Sequence, residues 1–178
     1  MEEEKLNLKN FYHAVNVALS AFLVGMVLYY IPRLPAKIPM HFAADGTPNG
    51  WSDKSGLIGL LIVALGITGI FYIIMLSLRS LSKRPSILNI PRKELFLALP
   101  PEKQEIYWNL MKEHLAAFAA AMNVLWVTAI WGTIKVALGD IKKLPAWTIW
   151  LGLILIVIVN LIYLPRLFLL PRKLTSGD

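Results

Sequence analysis

Four apolar stretches, at residues 11–31, 56–78, 115–138 and 147–163, alternate with polar and proline-rich segments. A hydrocarbon core of about 30 Å is crossed by about 20 helical residues, with a range of roughly 17–25. All four stretches meet that length, and helices of this kind satisfy their own backbone polar groups in lipid. The pattern predicts an all-α membrane protein: a four-helix transmembrane bundle forming a single integral-membrane domain over residues 1–178. Lys135, one turn from the end of the third stretch, is the only uncompensated charge within the four.

Composition supports the same class. Hydrophobic residues make up 57% of the chain against 16% charged, too apolar for a soluble domain of this length. The net charge of +7 would suit nucleic acid, but the cations flank the apolar spans. They read as headgroup anchors and topology signals, so membrane lipids and not nucleic acid are the expected partners. The absence of cysteine excludes disulfides, thiolate metal sites and cysteine nucleophiles. The opening MEEEKLNLKN is acidic and polar, and no small-residue cleavage site follows the first apolar run. That run is expected to be an anchor and not a removable signal.

Orientation follows from the cations on alternate sides. Twelve, from Lys5 and Lys9 through Arg79–Lys112 to Arg166, Arg172 and Lys173, share the side of the termini. Six, namely Arg33, Lys37, Lys54, Lys135, Lys142 and Lys143, lie on the other. Positive-inside logic places both termini in the cytoplasm of a multi-pass cell-membrane protein, with loop 32–55 outside.

Polar and small residues within the spans predict packing. Asn16, Asn123 and Asn160 are expected to hydrogen-bond between helices, worth about 0.6–2 kcal/mol each. They are not read as a transport pathway, because the spans contain no carboxylate. Gly59, Val63 and Gly66 form one stripe suited to close helix approach, and Ala116, Ala120 and Asn123 form another. In the middle loop, Pro91 and Pro101 each stand where a first helical residue would be. A short helix follows Pro91, and a long one runs unbroken from about 101 into the third span. Ile106, Tyr107, Leu110, Met111 and His114 share one side of it, facing the short helix. The fourth span is expected to end at Pro165-Arg166, leaving an interfacial tail.

The loop at 32–55 carries the most information. Pro32, Pro35 and Pro39 stiffen its first half into an extended strand or polyproline segment. Asp45-Gly46 and Asn49-Gly50 are turn dipeptides. Phe42 and Trp51 are expected to be at least partly buried, and the loop to be ordered. The run LPAKIPMHFAADGTPNGWSDK resembles the signature LPxxIPxHFxxxGxPDxWxSK of the domain of unknown function 1648 family. That family is a membrane module found alone or fused to further helices in SdpI-type bacterial immunity and signalling proteins. The pattern falls on Pro35, Pro39, His41, Phe42, Gly46, Pro48, Trp51, Ser52 and Lys54, with Asn49 where the family commonly has aspartate. LNIPRKELFLALPPEKQ is similar to the middle loop of stand-alone members. The resemblance implies a stand-alone membrane module without the additional SdpI-type portion.

The candidate chemistry is sparse. His41, Asp45 and Asp53 are candidate ligands for a divalent metal. The plainer alternative has His41 bonded to loop backbone and Asp45 capping its own turn. Lys54 reads as a headgroup contact, and His13 and His114 could meet at one end of the bundle. HExxH, nucleophile-elbow and phosphate-loop patterns are absent, so no catalytic residue and no cofactor is expected. The reading is a recognition, immunity or signalling module. Pro39, His41, Phe42, Asp45, Gly46, Pro48, Asn49, Trp51 and Lys54 would contact an extracellular peptide or envelope ligand. The alternative is a small transporter or channel, which would require a homo-oligomer to enclose a pore.

Overall fold

The computed structural model describes residues 8–81, 83–84 and 89–176. Lys5, the rest of the acidic N-terminal run and the side chains of Lys9 and Arg79 lie outside the described residues. Helix α1 covers Leu8–Tyr30 and ends in a 3-10 turn at Ile31–Arg33. Strands β1 (Lys37–Phe42) and β2 (Pro48–Asp53) follow, then α2 (Ser55–Leu81), the short α3 (Lys93–Leu97), α4 (Pro101–Ala137) and α5 (Trp147–Ser176). Among the described residues, four helices are long and apolar enough to cross a membrane. The expected four-helix membrane architecture is therefore present. The loop between α1 and α2 adds a two-stranded antiparallel hairpin to it.

Helix α4 is the hub, packing against α5, α1 and α2. The stripes that meet it are regular. On α2 the buried positions are Leu57, Leu61, Ala64, Thr68, Met75 and Leu78, at spacings of three, four and seven. On α5 they are Thr148, Gly152, Tyr163, Leu167 and Pro171. This phase turns the α2 glycines the other way. A Cβ added at Gly59, Gly66 or Gly69 would meet no atom within 4 Å. The smooth surface expected at Gly59 and Gly66 is thus not used for packing among the described residues. Close approach occurs instead at Gly152, where a Cβ would lie 2.5 Å from the Leu125 Cα, and at Gly132 beside Leu144 and Thr148.

The interior asparagines behave unequally. Asn16 donates to the Ala116 carbonyl at 2.9 Å, and Asn123 donates to Asn16 Oδ1 at 2.8 Å. Thr68 donates to Asn123 Oδ1 at 2.8 Å, so one buried network ties α1, α2 and α4 together. Asn160 donates within α5, to the Ile156 carbonyl, and its side chain also reaches His114 on α4. His13 and His114 do not meet. His13 bonds Tyr72 at 3.0 Å, and His114 stacks on Tyr163 with ring centroids 5.4 Å apart.

Lys135 is compensated after all. Helix α4 ends with Gly139 at φ +80°, and the Asp140 N–H bonds back to the Lys135 carbonyl at 3.0 Å. This left-handed terminus satisfies the last carbonyls. It also brings the Asp140 carboxylate 2.9 Å from the Lys135 ammonium.

At the opposite end, α3 folds against α4. Phe96 is fully buried and packs on Tyr107 and Trp108, at 5.0 and 5.4 Å between ring centroids. Trp108 takes the place expected for Ile106, which is exposed. Pro101 begins α4 as expected. Pro91 does not begin α3, because Arg92 intervenes with a left-handed backbone, φ 53°. The predicted stop at Pro165 is also overturned. Helix α5 runs through Pro165 and Pro171 to Ser176. Each proline removes one intrahelical donor and strains the preceding turn. The stripe of Leu167, Leu170 and Leu174 nevertheless packs on the Phe96–Tyr107–Trp108 cluster. Tertiary burial outweighs the local break.

Candidate functional site

The hairpin grows from the core outward. Leu34 and Ile38 are buried among Leu23, Val27, Leu57 and Ile134, which anchors the start of β1 on three helices. The Lys54 N–H donates to the Ala36 carbonyl at 3.0 Å, and Lys37 and Asp53 form an exposed ion pair at 2.9 Å. Lys37 pairs with Asp53, Ile38 with Ser52, Pro39 with Trp51 and His41 with Gly50. The register shifts on either side of His41. Such irregularities re-aim side chains near a strand end.

The tip is held by its own residues and by a distant loop. Asp45 accepts from the Thr47 N–H at 3.0 Å and from the Thr47 hydroxyl at 2.7 Å, closing the turn. Gly46 takes φ +80°, and its carbonyl accepts from the Leu144 N–H at 2.9 Å. Lys143 donates to Asp45 Oδ2 at 2.6 Å. Its ammonium, helped by Thr47, holds the Asp45 carboxyl well below the usual carboxylate range. The hairpin is therefore fastened at its base to the bundle and at its tip to the α4–α5 connection. The loop forms a defined hairpin, held by docking on a distant segment of the same chain.

Strand alternation then decides what the hairpin displays. Along β2, Asn49, Trp51 and Asp53 point outward, while Pro48, Gly50 and Ser52 are half-buried. Trp51 is 63% exposed, against the expectation that it would be partly buried. The period of two sets it with the exposed Asn49 and Asp53, while its cross-strand partner Pro39, on the same face, is fully buried. Phe42 is half-buried at the tip, as expected. His41 is exposed and donates from Nδ1 to Asn49 Oδ1. Its partner is a side chain and not the loop backbone that the plainer reading supplied. Gly50 makes room for this pair, since a Cβ there would lie 2.8 Å from the His41 Cβ.

The three candidate metal ligands are drawn apart. His41 is engaged by Asn49, Asp45 by Lys143 and Thr47, and Asp53 by Lys37. Among the described residues, no three His, Cys, Asp or Glu side chains gather as a metal site. What remains is an outward strip formed by the His41–Asn49 pair, Trp51 and the Lys37–Asp53 pair. A cavity of about 320 Å³ lies between the turn at Ala43–Gly46, the connection at Leu144 and Pro145, and the start of α5 at Ile149 and Trp150.

Sequence reasoning found the strip but missed Thr47, Lys143 and Leu144. The last two lie about a hundred residues away, and no local spacing signals the contact.

No curated protein and no solved structure matches the chain. Residues 18–72 match the family model described as Domain of unknown function (DUF1648). That match runs from α1 through the hairpin to Tyr72 in α2, and is consistent with a DUF1648 domain over those residues.

Proposed function

We propose that this multi-pass membrane protein is an outward-facing recognition module of the cell membrane. In this reading the hairpin contacts an extracellular peptide or envelope ligand, in an immunity or signalling role. The carrying observation is Trp51, a large amphipathic side chain displayed on a hairpin that is pinned at base and tip. A fastened element presents such a side chain without the ordering cost that a flexible loop would incur on binding. Aromatic side chains of this kind dominate recognition surfaces. The distribution of lysine and arginine supports placing the hairpin outside and both termini in the cytoplasm.

The role is read as non-catalytic and cofactor-free, since each titratable group of the strip already has a separate neighbour. The test is a pair of variants. Trp51→Ala and His41→Ala should abolish the protein's phenotype while membrane insertion and monodispersity are retained. Full activity of both, together with ion or solute flux in proteoliposomes, would replace this reading with the small-transporter one.

A further inference from the structure

At the end of the bundle opposite the hairpin, α2, α4 and α5 enclose a groove of about 940 Å³. Its long walls are hydrocarbon, with Ile74 and Leu78 from α2, Met111 and Leu115 from α4, and Val157 and Leu161 from α5. Along α5 it runs from Ile156 to Leu169, roughly 20 Å at 1.5 Å per residue. One leaflet of a hydrocarbon core of about 30 Å is roughly 15 Å deep. The groove is therefore long enough to reach from the bilayer midplane to the interface.

Two polar groups at the interfacial end are unanswered. Tyr107 lines the groove and is 0% exposed, and its hydroxyl has no hydrogen-bond partner. Arg92 follows Pro91, itself part of the wall, and its guanidinium carbon lies 4.7 Å over the Phe168 ring, which also lines the groove. The Arg92 Nε is buried without a partner, and the residue holds the left-handed backbone noted above. An apolar channel headed by a buried hydroxyl donor and a guanidinium matches an anionic amphiphile whose hydrocarbon lies inward.

We propose that this groove is a specific site for an anionic phospholipid. Its phosphate is held by Arg92, an ester carbonyl accepts from the Tyr107 hydroxyl, and one acyl chain lies along the α5 wall toward Ile156 and Val157. A second copy of this chain is the weaker fit. It would cover the walls with side chains but leave the Tyr107 hydroxyl and the Arg92 cation unanswered.

The test is native mass spectrometry of the full, delipidated chain, titrated with phosphatidylglycerol or with phosphatidylcholine of identical acyl chains. Retention of phosphatidylglycerol should be about tenfold the stronger, the scale of one charge-assisted hydrogen-bonded contact. Arg92→Gln should bring the two lipids to parity. Leu161 is a 69% exposed wall residue, so Leu161→Trp is compatible with folding and should weaken both lipids by filling the channel. Equal retention of the two lipids by the unaltered chain would overturn the proposal. So would a selectivity that survives Arg92→Gln, or a dimer in place of lipid adducts that Leu161→Trp dissolves.

Discussion

Leu144 closes on the backbone of Gly46. Its N–H donates to the Gly46 carbonyl at 2.9 Å, and its own carbonyl oxygen occupies the space where a Cβ at position 46 would stand. Two elements almost a hundred residues apart thus meet backbone to backbone, which only glycine allows at that φ of +80°. Gly46→Ala combines left-handed strain with overlap against an atom that cannot rotate away. The expected cost is about 1–3 kcal/mol. Limited proteolysis in detergent measures it: cutting at Arg33, Lys37 or Lys54 should be slow in the unaltered chain and fast in the variant.

The ion pair behind this contact gives a pH dependence with a defined sign. The folded-state pKa of Asp45 is depressed, chiefly by the hydrogen bond from Lys143 and then by Thr47. Its contribution is therefore fully present above the ordinary carboxylate value of about 3.9 and is lost as pH falls through the folded value. Hairpin protection should stay constant from about pH 8 to about pH 5 and fall only in stronger acid. Both groups are exposed, so salt should weaken the pair. Asp45→Asn should remove the acid limb. Hydrogen exchange of the tip amides against pH checks all three expectations.

The interior network predicts coupling. Asn123→Leu strands the Asn16 oxygen, while the Thr68 hydroxyl keeps the Ala64 carbonyl as acceptor, at about 1–3 kcal/mol for a buried group left unpaired. Asn16→Leu in the same background should cost less than it does alone, because its partner is already gone. Asn160→Leu, which breaks a bond within its own helix and the contact with His114 but leaves the Asn16–Asn123 network whole, should cost less than Asn123→Leu. Unfolding in mixed detergent micelles resolves the difference.

How much of this was legible in the chain follows from the range of each interaction. Helix positions depend on runs of apolar residues, and those are local, so the four spans and the start of α4 at Pro101 were readable. The order of the hairpin was readable because prolines and glycine turns act over a few residues. Its fastening was not, since Lys143 and Leu144 reach Asp45 and Gly46 through the fold. The course of α5 past Pro165 was misread for a related reason: a local helix-breaking signal was overridden by Leu167, Leu170 and Leu174 packing on aromatics of another helix. The outward strip came out well in composition and wrongly in one orientation. Trp51 was placed by its hydrophobicity, whereas strand alternation decides which way it points.

The glycines supply the last prediction, because identical substitutions should act oppositely at two places. At Gly152, Cα and N of Leu125 stand 2.5 and 2.9 Å from where a Cβ would be, so α4 and α5 touch backbone to backbone. Gly152→Ala must push the helices apart along their principal contact, at an expected cost of about 1–3 kcal/mol, the range for overpacking. At Gly66 the same Cβ meets nothing within 4 Å, and alanine relieves helical glycine of up to about 1 kcal/mol. Gly66→Ala should therefore be neutral or stabilising in a monomer. Thermal unfolding read alongside size-exclusion chromatography separates the causes. A Gly66→Ala chain that is destabilised and also shifts to a smaller species would show that the α2 glycine face packs against a second copy.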